Sequence, residues 1–204
     1  MHILRVATVY EPDVDALPVD FRAVLTDQDV GAIRGGAEFF ATLADADSPP
    51  WLRTMLAACA ASGYELQFYA SNSTPYRPYF RFHNLGAAVS LPRTGPLRPD
   101  VPPFLRRLYG VIGAFQENAF DMAGGLHPGD GLIPLSETGM WVEPGGPIDP
   151  TVAIPFLETF SGSQLCYLPD GRGAWLEACQ LRPVESLEQE VARYFEALLE
   201  GTRI

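Results

Sequence analysis

The chain has 204 residues, and all 14 of its basic side chains are arginine, against 25 aspartates and glutamates. Because it contains no lysine, it excludes mechanisms that need a side-chain amine, such as a Walker-type phosphate loop or a Schiff-base enzyme. The hydrophobic fraction of 47% predicts a folded domain. The net charge of −11 disfavours duplex DNA or an anionic membrane as partner, and it favours a basic partner or simple solubility.

Charge is distributed unevenly along the chain. Residues 1–63 carry a net charge of −5, residues 64–115 carry +4, and residues 116–204 carry −10. Arginines and aromatics in the middle block suggest a nucleic-acid stripe as an alternative, but the acidic segments on both sides disfavour nucleic acid as a partner. The arginines of this block are Arg77, Arg81, Arg93, Arg98, Arg106 and Arg107.

Cysteine usage and the N-terminus bear on the compartment. Cys59, Cys166 and Cys179 are widely spaced and form no C-x-x-C pair, so neither a disulfide framework nor a zinc ribbon is expected. The first residues lack the charged region and apolar run of a signal peptide, and no stretch reaches 18 apolar residues. We therefore predict a cytoplasmic protein with no membrane segment and no cofactor.

The first half of the chain predicts strands around one clear helix. Residues 3–10 are rich in β-branched side chains and predict a strand. Apolar residues at helical spacing over 51–60 predict a helix with Ser48 as its cap. Residues 64–68 and 80–83 alternate with period two, which predicts half-buried strands. Two segments, 20–30 and 37–43, stay ambiguous, and 87–91 is a candidate for a further strand.

A proline-rich segment separates the two halves. Five prolines lie between residues 91 and 103, which excludes a helix or a central strand there. This segment is the best candidate for a domain boundary. We predict an N-terminal α/β lobe over 1–95 and an α+β region over 96–204, with one continuous domain as the alternative.

The second half predicts a helix, strands and a closing helix. Residues 103–112 have helical spacing, 131–135 and 152–157 predict short strands whose prolines place them near a sheet edge, and 164–177 predicts a β-hairpin turning at Pro169-Asp170-Gly171. Ser186 and Gln189 predict a capping box at the start of an amphipathic helix. The expected fold is α+β, with a single mixed or antiparallel sheet, helices packed against it and this helix at the C-terminus.

One cluster of polar residues resembles an enzyme site. Carboxylates and an imidazole on a glycine-rich loop could ligate a divalent metal or form an acid–base pair. Their spacing matches no zinc helix or calcium loop, so a structural loop is favoured, and a small metal-dependent hydrolase is the alternative. The residues are Glu117, Asp121, His127 and Asp130.

A cysteine nucleophile is the second catalytic option. Cys166 could pair with His127 or His83. Alternation in the hairpin places Cys166 on the face opposite its neighbours, and no helix N-terminus is there to lower its pKa, so a structural thiol is favoured. The glycines between residues 31 and 36 lack the spacing of a dinucleotide fingerprint.

Four segments of the second half resemble the SUKH superfamily, small α+β proteins best known as bacterial immunity proteins against secreted and contact-dependent toxins. They are the helix at 103–110, the Gly-Leu-Ile-Pro-Leu segment at 131–135, the strand and hairpin at 154–177, and the helix that begins at Ser186. The resemblance covers about half of the chain and involves no catalytic set.

This resemblance implies a non-catalytic protein that neutralises a toxin. Combined with the acidic charge, it predicts docking onto a basic toxin domain, because opposite charges speed association and add specificity. Candidate contact residues are five acidic side chains of the C-terminal half and one aromatic anchor in a Gly/Pro-rich loop. They are Glu137, Glu143, Asp149, Glu158, Asp170 and Trp141.

Overall fold

The computed structural model describes residues 3–71, 74–93, 95–117 and 124–201, which form an α+β fold with two five-stranded antiparallel sheets. The first sheet consists, in spatial order, of β1 (Ile3–Val9), β2 (Tyr64–Ser71), β3 (Thr74–Phe82), β4 (Ala87–Ser90) and β5 (Ala114–Glu117). The second consists of β6 (Gly125–Leu126), β7 (Ile154–Glu158), β8 (Gln164–Tyr167), β9 (Gly173–Glu177) and β10 (Gln180–Val184). The helices are α1 (Val19–Arg22), α2 (Asp27–Gly35), α3 (Pro50–Ala60), α4 (Pro103–Val111), α5 (Leu135–Thr138) and α6 (Leu187–Leu199).

The predicted α+β class and C-terminal helix are confirmed, but the sheet is divided in two. β5 and β6 lie next to each other at the division. Gly125, the first residue of β6, has a φ of +127°, which is outside the usual range of a strand. A Cβ atom at Gly125 would clash with the carbonyl oxygen of Phe115.

One apolar core joins residues from both sides of the proline-rich segment. The main buried cluster includes Phe68 and Phe80 from the first sheet, Tyr167 from the second, and Phe195 from α6. β4 and β5 also pair with each other across residues 91–113. Strand pairing and core packing therefore both cross the position of the predicted boundary.

The predicted N-terminal strands and the helix are present, with one correction at the helix cap. The N-cap of α3 is Pro49, and the Ser48 hydroxyl instead donates a hydrogen bond to Asp45 Oδ1 at 2.8 Å. Proline has no amide hydrogen for a cap to accept, so the Ser48 side chain can bond within the preceding turn instead. The ambiguous segment 37–43 is a 3-10 helix.

The strand predicted at 131–135 is wrong. After a 3-10 turn at Gly129–Gly131 the chain is extended for three residues and then forms α5, with Pro134 as its N-cap. Pro134 has no amide for a ladder hydrogen bond, and its fixed φ suits the start of a helix. The edge strand beside β7 is β6, which pairs with Leu157 and Glu158.

The hairpin and the closing helix are confirmed. Asp170 Oδ1 accepts a hydrogen bond from the amide of Arg172 at 3.1 Å, and Gly171 has a φ of +85°. At α6 the Ser186 hydroxyl accepts from the amide of Gln189 at 3.3 Å. Within the described residues the return bond from the Gln189 side chain is missing, so the predicted capping box is only half formed.

Candidate functional site

Residues 135–153 form a covering segment over the outer face of the second sheet. It packs through an outer cluster, distinct from the main core, that the sequence did not predict. Alternation along β8 explains the division, because Cys166 faces this cluster while Leu165 and Tyr167 face the main core. The members of the outer cluster are Leu135, Ile148, Ala153, Cys166, Leu168, Ala174, Leu176 and Leu181.

Trp141 is presented to solvent by this covering segment. Its side chain is 67% exposed, although the chain next to it is anchored. The amide of Glu143 donates to the carbonyl of Cys179 at 2.8 Å, and Gln180 Nε2 donates to Glu143 Oε2 at 2.6 Å. Val142 packs against the outer cluster. The aromatic ring is therefore exposed on a loop whose backbone is held in place.

Asp149 and Asp170 line one shallow hollow of about 360 Å³. It lies at the start of β9, whereas Cys179, which binds the covering segment, follows the end of that strand. Ile148, Val152 and Leu168 supply apolar lining, so carboxylates and apolar surface lie side by side. Hydrogen bonds from the backbone and side chain of Thr151 hold the pKa of Asp149 below its usual value. The amide and guanidinium of Arg172 lower the pKa of Asp170 in the same way.

Glu158 lies apart from this hollow. It is the last residue of β7, half-buried, and its Oε2 lies 3.5 Å from Nε2 of His127. Glu137 is exposed on α5. The covering segment and the β8–β9 turn thus carry five of the six predicted contact residues, and the sixth interacts with a histidine.

The enzyme-like cluster is only partly described. Asp121 and the side chain of Glu117 lie outside the described residues. Asp130 accepts hydrogen bonds from Arg77 Nη2 through both carboxylate oxygens, and His127 faces Glu158. Among the side chains that the structure describes, no three carboxylates, histidines or cysteines meet as a metal site.

Cys166 does not have the surroundings of a nucleophile. It is fully buried, and burial raises the pKa of its thiol to about 12. Its Sγ contacts the carbonyl of Gln164 at 3.9 Å. His83 lies 4.0 Å from Glu65 on the first sheet. A thiol held in its protonated form supports the structural interpretation of this residue.

A buried polar row on the first sheet is not predicted by the sequence. Tyr69 donates to Gln67 Oε1 at 2.6 Å, Gln67 Nε2 donates to Glu65 Oε1 at 2.5 Å, and Arg81 Nη1 donates to the same oxygen at 3.0 Å. The signal was present, since residues 65, 67 and 69 of β2 share one face. The alternation predicts a half-buried strand, whereas the fold buries this polar face as well.

Nor does the sequence predict a pocket of about 210 Å³ lined by arginine and glycine. The arginines are separated widely in the sequence, so only the fold brings them together. The lining consists of Arg77, Pro92, Arg93, Gly95, Leu97, Arg106, Tyr109, Gly110, Gly113, Gly129 and Asp130.

Comparison of the chain with protein-family models, with curated proteins and with solved structures yields no match. The resemblance to the SUKH superfamily stays a prediction. Across the described ranges, no helix has both the length and the apolar character that crossing a membrane requires.

Proposed function

We propose that this protein is a non-catalytic, immunity-type binding protein that neutralises a cognate bacterial toxin by docking an acidic surface onto it. The observation that carries the proposal is the exposed Trp141, which lies between Glu137 and Glu143 in the sequence on a segment anchored to the second sheet. Tryptophan is one of the residues most enriched among the anchors of protein interfaces.

The anchoring of this segment favours binding. The covering segment is bonded to the Ala178-Cys179 turn through Glu143, and at Asp149 it reaches the hollow beside the Pro169–Arg172 turn. These turns lie at opposite ends of β9, whose five residues span about 16 Å. A surface that is ordered before association loses less conformational entropy when it binds.

Charge favours a basic partner. The C-terminal segment from residue 116 carries a net charge of −10, and Glu137, Glu143, Asp149 and Asp170 are exposed. Hydrogen bonds from Thr151 and Arg172 keep two of these carboxylates ionised below their ordinary pKa. Exposed carboxylates of this kind steer association with a positive surface and make its rate sensitive to salt.

The test is protection of cells against a toxin domain encoded next to this protein. The triple variant Glu137→Arg, Glu143→Arg, Asp149→Arg reverses charge on the proposed surface. Its control, Glu185→Arg, Glu196→Arg, Glu200→Arg, makes the same change of net charge at exposed positions before and along α6. We expect the first variant to lose protection and the control to retain it. Protection that survives in both variants, or is lost equally in both, contradicts the proposal.

Trp141→Ala tests the aromatic anchor separately. Because the side chain is 67% exposed, its removal should leave the thermal unfolding midpoint unchanged. A central anchor contributes about 2 kcal/mol or more, so the dissociation constant of the toxin complex should rise about 30-fold or more. An unchanged dissociation constant would place the interface elsewhere.

A further inference from the structure

We propose that the arginine-lined pocket binds a phosphate group, either as the free ion or as the head of a small phosphate ester. Arg77, Arg93 and Arg106 are among the residues that line the pocket, and Asp130 is the one acidic residue of the lining. Arginine suits this role because its planar set of donors matches the oxygens of a phosphate.

Two of the arginines are already removed from water. The side chains of Arg77 and Arg93 are 12% and 17% exposed. Folding has therefore already contributed part of the free-energy cost of removing them from water. Interactions of charge at such positions are less screened than at the surface. The attraction between these arginines and an anion in the pocket is therefore less screened than at the surface, and it acts against the carboxylates of Asp130 and Asp29 that already pair with them.

Arg93 has an unused donor. Its Nη1 donates to the carbonyl of Val24 at 2.8 Å and lies 3.1 Å from the fully buried Asp29. Its Nη2 is buried and, like Oδ1 of the neighbouring Asp29, has no hydrogen-bond partner within the described residues. A buried guanidinium nitrogen without an acceptor is costly, and a bound oxyanion within reach would supply one.

Arg106, another lining residue, is held in place by backbone carbonyls. Its Nη2 donates to the carbonyls of Arg98, Pro99 and Val101 at 3.1 to 3.3 Å, and those are the hydrogen bonds of its guanidinium within the described part of the chain. The remaining nitrogens of this exposed side chain are free to donate to a ligand.

The size of the pocket limits the ligand. A volume of about 210 Å³ is smaller than the pockets that enclose drug-sized molecules, so it fits a single oxyanion group with little attached to it. Two of the lining glycines allow close packing around the pocket: a Cβ at Gly129 would clash with Leu97, and one at Gly113 would clash with the Leu91 carbonyl.

The pocket lies where several segments meet. Arg77 comes from β3, Arg93 from the proline-rich segment, Arg106 from α4 and Asp130 from the turn before α5. A bound phosphate would therefore tie these segments together, and it should raise the thermal unfolding midpoint in a saturable way.

Calorimetric titration of the full chain with inorganic phosphate, at constant ionic strength set by chloride, tests the proposal. Arg106→Gln should weaken binding about tenfold, because it removes one charged donor; the thermal unfolding midpoint of the variant without phosphate reports separately on the loss of its hydrogen bonds to the carbonyls of Arg98, Pro99 and Val101. The matched control is Arg182→Gln, which removes a charge at an arginine of β10 that is 62% exposed, and it should bind as the unaltered protein does.

Asp130→Asn should change the affinity for phosphate in the opposite direction. It removes the carboxylate that engages Arg77, so phosphate should bind about tenfold more tightly. A purely structural role for this ion pair predicts loss of stability with no gain in affinity. Because the chain carries a net charge of −11, general attraction of anions is not expected to imitate either result.

A parallel titration with methyl phosphate distinguishes the two sources. Tighter binding of methyl phosphate assigns the site to a phosphate ester, and tighter binding of inorganic phosphate assigns it to the free ion. Absence of saturable binding by both ligands overturns the proposal, as does equal affinity of the unaltered, Arg106→Gln and Asp130→Asn proteins.

Discussion

The indole of Trp51 stacks on the ring of Phe195, with ring centroids 4.6 Å apart and planes 8° from parallel. Trp51 lies on α3 in the N-terminal half, whereas Phe195 lies on α6 near the C-terminus. Phe195 also packs edge-to-face against Phe115 of β5 at 5.2 Å. The contact joins regions that the proline-rich segment separates in the sequence.

Phe195→Ala tests this connection. Phe195 is fully buried, so we expect the variant to lose about 3–5 kcal/mol of unfolding free energy, through lost burial and the cavity left behind. Urea denaturation followed by tryptophan fluorescence and by circular dichroism should give one coincident transition. Glu196→Ala, at an exposed position of the same helix, is the control. Two separate transitions would show that the halves unfold independently.

The β9–β10 turn offers a stabilising change. Ala178 and Cys179 are its two central residues, with φ of +44° and +66°. Such turns favour Asn-Gly, and each ordinary L-residue in this conformation costs about 1 kcal/mol. Ala178→Asn combined with Cys179→Gly should therefore raise the unfolding free energy by about 1–2 kcal/mol in urea denaturation. Gly171→Ala, at a φ of +85° in the neighbouring turn, should lower it. A less stable double variant would contradict this account.

The three thiols should differ in reactivity. Burial raises the pKa of Cys59 and Cys166 to about 12, whereas Cys179 is exposed. Thiolate is the reactive form, so one thiol should react quickly with a chromogenic disulfide in the native protein, and three should react in denaturant. Cys179→Ser should abolish the fast reaction. A second fast thiol would show that the core opens more easily than its burial indicates.

Asp149 predicts a local dependence on pH. Its amide and hydroxyl hydrogen bonds from Thr151 hold its pKa below the ordinary value of 3.8. Because the folded pKa is depressed, this carboxylate favours the folded state above the unfolded pKa, and that contribution disappears as pH falls through the folded value. Thr151→Val removes the hydroxyl and keeps the amide.

We expect Thr151→Val to raise the pKa of Asp149 part of the way towards 3.8, as measured by NMR titration of the carboxyl carbon. The carboxyl of Asp170, whose pKa is lowered by Arg172, serves as an internal control and should not move. A pKa of Asp149 that stays unchanged would assign the whole effect to the backbone amide.

Local patterns predicted local structure well. The hairpin turn at Pro169-Asp170-Gly171, the helix over residues 51–60 and the serine cap at Ser186 all depend on neighbours within a few residues. The failures have local causes too. At 131–135 a short apolar run fitted either a strand or the start of a helix, and Pro134 decided for the helix.

The candidate sites depended on contacts that are distant in the sequence. Asp130 belongs to a loop that the sequence favours as structural, with a metal or acid–base site as the alternative, and its carboxylate engages Arg77, which lies 53 residues away. The polar side chains of β2 alternate as those of a solvated face do, and the fold buries them. A period of two shows that two faces differ, but it does not say which face water reaches.

By itself, the sequence determined the α+β class, the hairpin, the closing helix, the acidic balance and the absence of lysine chemistry. Only the tertiary structure decided that there are two sheets, that the covering segment presents Trp141, and that three arginines line one pocket. The physical reason is range. Propensity and turn chemistry act over a few residues, whereas a pocket or surface requires side chains that only chain folding brings within a few ångströms.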